Sequence, residues 1–160
     1  QVWTATSATA SDFQAVAASA GTLNFQANRS SDLAVLATTQ TELVFNAEQS
    51  DPDSKYNTST GRYTPAVAGA YFVTVNVSFA PDSNWGTGAN GYLKIRKNGA
   101  GTEYGQISNQ GSGDADDVGF TTSAIIECDD DDYISVWWYH TANAGNMLSV
   151  QSYFGGFRLD

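Results

Sequence analysis

The sequence predicts an all-β fold, an antiparallel sandwich of strands, on three observations. Aromatic residues make up 12% of the 160 residues and glycine occurs 15 times, which favours strands and turns over helices. Every second residue from 71 to 79 is apolar, and a period of two is that of a β-strand. Turn signals recur at short intervals from residue 22 onward, with no helical pattern between them.

The length of the chain suits one domain with a short appendage. We assign residues 22–160 to that domain and residues 1–21 to an N-terminal arm or linker, because the first twenty residues are rich in Ala, Ser and Thr and contain no basic residue. Trp3 and Phe13 are the candidates within the arm for anchoring it on a partner or a larger assembly. A plain linker is the alternative.

The strands are predicted in chain order from periodicity and from their turns. A hairpin over residues 56–63 turns at Ser59-Thr60-Gly61 and feeds the long strand at residues 71–79. Asn98-Gly99 is a hairpin signal, and Gly155-Gly156 indicates a bulge or a close backbone approach. Further strands are expected at residues 23–27, 34–37, 42–47, 92–97, 104–108, 118–127, 132–141 and 147–159. Eight to ten strands without helices match a jelly roll or a similar sandwich.

Aromatic pairs that point to opposite faces of a strand predict an oligomer. Neighbouring residues of a strand face opposite ways, so bulk at both positions must be covered on both sides. We infer a homo-oligomer with an aromatic interface, most simply a closed ring. The candidate interface residues are Tyr71, Phe72, Trp137, Trp138, Tyr153 and Phe154.

Six segments in order resemble the complement C1q and tumour necrosis factor superfamily, in the version found in bacterial and phage surface proteins. The segments are Val44-Phe45-Asn46, Tyr56 with residues 59–65, Gly69-Ala70-Tyr71-Phe72, residues 93–99, residues 132–136 and residues 154–159. The resemblance implies a jelly roll of about ten strands and a trimer that acts as a binding head on a stalk or a surface.

The same resemblance sets the expected role. The sequence shows neither a collagen repeat nor paired cysteines, which argues against the immune and hormone-like roles of the animal branch. We therefore expect a non-enzymatic virion component on the virion surface, such as a capsid decoration protein, a head fibre or a tail-fibre tip. Its partners would be the major capsid protein or a fibre stalk. The alternative is a carbohydrate-recognition or adhesion module on a bacterial cell surface, which would contact host-surface glycan.

The charge of the chain excludes some partners. Seven Lys and Arg against seventeen Asp and Glu give a formal net charge of −10, which argues against nucleic-acid binding and against docking on anionic lipid. No apolar run approaches the roughly 20 residues needed to span a bilayer, so membrane insertion is not expected.

Acidic residues cluster in the second half of the chain and are candidates for a calcium site. Hard cations take six to eight oxygen ligands, and Asp-rich loops supply them. Solvated turns are the alternative, since EF-hand spacing is absent from the sequence. The candidate ligands are Asp114, Asp116, Asp117, Asp130 and Asp131.

Residues 86–91 contain the pattern GxGxxG, but it precedes a predicted strand instead of opening a helix. A nucleotide site is therefore rejected. As an exposed loop, this stretch would offer Asn84 and Trp85 to a glycan; a Trp85 that folds back onto its own sheet is the alternative.

No catalytic constellation is visible in the sequence. His140 is the only histidine and lacks a nucleophile-elbow sequence, which favours a surface or interface histidine. Cys128 adjoins four aspartates, which would raise the pKa of its thiol and reduce its reactivity.

Overall fold

The computed structural model describes residues 24–81, 85–99, 101–111, 117–142, 145–147 and 151–159. Within them the chain forms thirteen strands, all paired antiparallel. In chain order they are β1 (Asn24–Asn28), β2 (Leu33–Val35), β3 (Thr41–Leu43), β4 (Ala47–Ser50), β5 (Tyr56–Asn57), β6 (Arg62–Tyr63), β7 (Gly69–Pro81), β8 (Asn90–Lys97), β9 (Glu103–Gln110), β10 (Val118–Cys128), β11 (Ile134–His140), β12 (Gly145–Met147) and β13 (Tyr153–Arg158). No helix in the described residues is long and apolar enough to cross a bilayer.

Two sheets form the sandwich and confirm the predicted fold class. The first sheet has the order β2, β12, β7, β13, β1 and β4, with β10 on the other edge of β7. The second sheet has the order β5, β6, β11, β8 and β9, with β3 also paired to β11. The register of β1 and β13 places Asn24 opposite Phe157 and Asn28 opposite Tyr153.

Strand β7 is the centre of the first sheet and supplies much of the core. The side chains of Tyr71, Val73, Val75, Val77 and Phe79 are each at most 1% exposed. Their alternation along the strand sends all five toward the second sheet, as the period of two predicts. Complete burial of such a side chain contributes about 1.5–3 kcal/mol each, so this strand dominates the packing between the sheets.

The predicted hairpin before β7 is present as β5 and β6. Tyr56 lies opposite Tyr63 in its register. Gly61 has a φ of +75°, and a Cβ at this position would lie 2.5 Å from the carbonyl oxygen of Leu43. The turn therefore requires glycine for both its conformation and its close packing. The Tyr56 hydroxyl donates a hydrogen bond to the carbonyl oxygen of Phe45 at 2.9 Å, which ties the hairpin to the preceding loop.

The second predicted hairpin turn also forms. Asn98 and Gly99 have φ values of 56° and 61°, the positive values that a type I′ turn needs. Asp132 holds this turn, since it accepts hydrogen bonds from the backbone N–H of Asp129 at 2.8 Å, from Lys97 at 2.9 Å and from Asn98 Nδ2 at 2.6 Å. These donors lower the pKa of Asp132 to about 2.

The structure differs from the predicted strands in two places. It has more strands than expected, in part because two short strands, β3 and β4, replace the predicted strand at residues 42–47, and residues 44–46 belong to neither. The predicted strand at residues 147–159 is divided into β12, which pairs with β2 and the end of β7, and β13, which pairs with β1 and the middle of β7. The predicted arm, with Trp3 and Phe13, lies outside the described residues.

Candidate functional site

The outer face of the first sheet carries a row of apolar side chains. The antiparallel register places Ile125, Phe72 and Phe157 side by side on three neighbouring strands. The rings of Phe72 and Phe157 have centroids 5.4 Å apart. Ile125 is 61% exposed, Phe157 47% and Tyr153, further along the same face, 38%. We call Phe72, Ile125, Tyr153 and Phe157 the outer patch.

Two glycines shape the outer patch. Gly155 faces outward between Tyr153 and Phe157 and, together with Phe72, lines a concavity of about 380 Å³. A Cβ on Gly155 would lie 2.9 Å from the carbonyl oxygen of Phe25, and one on Gly156 would lie 2.5 Å from that of Phe72. Of the two features predicted for this pair, the close backbone approach is the one found.

Three of the six predicted interface residues belong to the core of a single chain. Tyr71 and Phe154 are 0% exposed and Trp138 is 1% exposed. Such side chains have no surface left to bury against another subunit, so their assignment to an interface is wrong. Their neighbours Phe72, Trp137 and Tyr153 point the opposite way and remain partly exposed. For these three the interface assignment stays a prediction.

Phe157 and Ile125 were not among the residues predicted for the interface, yet they are more exposed than any of those residues. The signal for Phe157 was present, since it lies four residues after Tyr153 and therefore on the same face. Ile125 was harder to assign, because it stands beside Ile126, which is fully buried. Only the pairing of β10 with β7 shows which of the two faces outward.

The outer face of the second sheet is built around Trp137. Ser135 lies on this outward side of β11, yet it is 0% exposed. The indole Nε1 of Trp137 donates to the hydroxyl of Ser135 at 3.0 Å, and the guanidinium of Arg96 lies 5.0 Å from the ring centroid. The indole therefore covers these groups, and the contacts fix its orientation.

The charged groups next to Arg96 are held in an ordered arrangement. Glu103 accepts from both Lys94 and Arg96, at 2.5 and 3.1 Å. The hydrogen bond from Lys94 is the main cause that lowers the pKa of Glu103. Lys94 also lies 5.7 Å from the ring centroid of Tyr92, whose ring is 6.0 Å from that of Tyr139. We call Tyr92, Lys94, Arg96, Trp137 and Tyr139 the aromatic face.

The predicted glycan contact at Trp85 is wrong. Trp85 is 1% exposed and packs in the core against Phe79, Phe120 and His140. Its indole Nε1 donates to the carbonyl oxygen of Ala89 at 3.1 Å, so its loop folds back onto the sheet. Asn84 lies outside the described residues.

His140 and Cys128 are both buried. His140 is 0% exposed, so the expectation of a surface or interface histidine is wrong, and burial lowers the pKa of its imidazole. Cys128 is a free cysteine, 4% exposed, and burial is the main cause that raises the pKa of its thiol to about 11. Neither group is placed to meet a substrate from solvent.

The predicted calcium ligands are placed only in part. Asp117, Asp130 and Asp131 are exposed, whereas Asp114 and Asp116 lie outside the described residues. Among the described residues, no group of three or more His, Cys, Asp or Glu side chains is placed to hold a metal ion. The acidic-loop site stays a prediction.

A model of the C1q domain matches residues 24–159 of this chain. The globular domain of zebrafish complement 1qA protein is similar with a TM-score of 0.60 at 17% identity, covering 86% of this chain and 97% of that one. Murine APRIL matches with a TM-score of 0.62 at 14% identity, over 85% and 98% of the two chains. Eiger TNF from S. frugiperda matches with a TM-score of 0.57 at 14% identity, over 86% and 90%. A search of curated proteins finds no match. At these identities the solved structures show a common fold.

Proposed function

Because the chain belongs to the C1q domain family, we propose that it is a non-enzymatic binding module that assembles as a homotrimer through the outer patch. One observation carries the assembly: an apolar row crosses three strands of one sheet and stays exposed in the single chain. Exposed apolar patches on soluble proteins mark interaction surfaces. In a closed ring of three copies, the outer patch of every copy contacts a neighbouring copy, and no patch stays exposed.

The mass of the particle in solution tests the trimer. Sedimentation equilibrium at micromolar concentration should give about 51 kDa, three times the 17.0 kDa of one chain. A single species at the mass of one chain would refute the assembly.

We place the trimer on a virion surface, joined to the major capsid protein or a fibre stalk. The support is the likeness of six sequence segments to the bacterial and phage branch of the family, together with an acidic chain that suits display in solution. Immunogold labelling of purified particles should mark the capsid or the fibre tips. Label confined to the bacterial cell surface would favour the alternative location.

The aromatic face favours glycan binding as a second candidate function. Trp137 and Tyr139 offer ring surface for stacking, and Lys94 and Glu103 offer donors and acceptors that are already oriented by their ion pair. The ordered side chains reduce the entropy lost on binding. A glycan array should give hits with the intact protein that Trp137→Ala removes, while Phe157→Ser retains them. An array without hits would refute this second function and leave the trimer untouched.

A further inference from the structure

The turn between β4 and β5 holds two aspartates in a fixed conformation. Residues 51–55 cross one end of the sandwich, where Ser54 donates its backbone N–H to the carbonyl oxygen of Asp51 at 3.0 Å. Ser54 has a φ of 54°, which closes the turn tightly. The backbone N–H of Tyr56 donates to Oδ2 of Asp51 at 2.6 Å, so one carboxylate oxygen of Asp51 has a partner.

Two other carboxylate oxygens at this turn have none. Oδ1 of Asp51 and Oδ2 of Asp53 are inaccessible to solvent and lack a hydrogen-bond partner within the described part of the chain. Asp51 as a whole is only 8% exposed. The four ion pairs among the described residues involve neither aspartate. A buried carboxylate such as Asp51 is strongly unfavourable without a compensating charge, so its unpaired oxygen calls for a positive partner.

Both aspartates act on the same part of the core. The pKa of the Tyr63 phenol is raised chiefly by burial, and the nearby charges of Asp51 and Asp53 raise it further. Tyr63 is 1% exposed and stacks on Phe25 with ring centroids 4.1 Å apart. The two carboxylates therefore lie near the same buried tyrosine.

We propose that Asp51 and Asp53 bind a divalent hard cation, of which calcium is the best fit, in the turn between β4 and β5. Two carboxylates balance the charge of one such ion, and calcium accepts backbone carbonyl oxygens and water for the rest of its six to eight ligands. With only two carboxylates the site belongs to the weak class, with dissociation constants of about 10⁻⁴–10⁻³ M. The exposed Asp130 and Asp131 need no such partner, because water solvates them.

Terbium luminescence tests the site directly. Terbium substitutes for calcium and is sensitised by a nearby tyrosine, and Tyr63 lies beside the turn. The intact protein should show luminescence on excitation at the tyrosine band, and calcium should displace it. The melting temperature should also rise by about 3 °C or more at about 10 mM calcium, as expected for ligand in excess of a millimolar dissociation constant.

Matched variants locate the ion. Asp53→Asn should abolish both signals, and the double variant Asp130→Asn/Asp131→Asn should retain them. Asp51→Asn keeps an oxygen acceptor for the Tyr56 N–H and, as a second variant of the turn, should also abolish both signals. Without calcium, Asp53→Asn should be at least as stable as the parent chain, because it removes an unpaired charge. Absence of both signals in the parent chain, or their loss only in the Asp130/Asp131 variant, would overturn the proposal.

Discussion

Replacement of Phe157 by serine should weaken the trimer while leaving the fold of each chain intact. Phe157 is 47% exposed in the single chain. A phenylalanine side chain that becomes fully buried removes roughly 200 Å² from water, so the interface would take up about 90 Å² of Phe157. At about 25 cal/mol per Å² this is about 2 kcal/mol per subunit, or about 6 kcal/mol per trimer. Such a loss lowers the association constant by about four orders of magnitude.

Sedimentation across a dilution series measures this loss. The dissociation constant of a trimer has units of concentration squared, so the concentration at which half of the chains are trimeric should rise about 100-fold in Phe157→Ser. Leu36→Ser is the matched control, because Leu36 is 66% exposed and lies outside the outer patch. Circular dichroism at low concentration should show the same strand content in all three proteins. An unchanged midpoint for Phe157→Ser, or an equal shift for Leu36→Ser, would show that the outer patch is not the interface.

Two residues of the core and turns and two titratable groups should each change the stability in a measurable way when they are replaced. Phe154→Ala should lower the free energy of unfolding by about 3–5 kcal/mol in denaturant titration, because Phe154 is 0% exposed; a loss below about 1 kcal/mol would contradict its place in the core. Gly61→Ala should lower it by about 1–2 kcal/mol or more, since φ is +75° and the new Cβ would meet a carbonyl oxygen; unchanged stability would mean that the turn adjusts freely. Burial lowers the pKa of His140, so the unfolded chain binds the proton more readily than the folded chain does. The free energy of unfolding should therefore be highest above about pH 6.5 and decrease below that pH. The variant His140→Phe should reduce this decrease. Asp132, with its pKa lowered to about 2, stabilises the fold above about pH 4, and this contribution should disappear as the pH falls toward 2; Asp132→Asn should be destabilised at neutral pH and lack that acid step.

The sequence was sufficient for the parts of the fold that depend on local chemistry. The turn at Asn98-Gly99 needs two positive φ values, and few dipeptides other than Asn-Gly supply them so readily. The alternation from Tyr71 to Phe79 likewise identifies the core face of β7. Both predictions rest on backbone sterics or on a period of two, which a single sequence displays.

The candidate surfaces were harder to predict, because they depend on which of two apolar neighbours faces inward. Tyr153 and Phe154 are similar in size and adjacent, and pairing with β1 and β7 decides that Phe154 is buried. Trp85 is a similar case. A tryptophan in a predicted loop suggests a ligand contact, and only the structure shows that its ring packs against Phe79 in the core. The unpaired oxygens of Asp51 and Asp53 could not be predicted, because they depend on side-chain burial and no spacing of residues in the sequence indicates them.

Because β1 pairs with β13, the force that the domain withstands should depend on the two points at which the force is applied. Asn24 and Phe157 lie opposite each other at one end of this antiparallel pair. A pulling force applied to these two points loads the ladder one hydrogen bond at a time, so the strands would peel apart like a zipper at low force. A force between Asn24 and the opposite end of the sandwich loads many hydrogen bonds together in shear, which resists more strongly. A domain tethered near Asn24 would therefore withstand a higher force when its partner binds the loops at the opposite end of the sandwich than when its partner binds near Phe157.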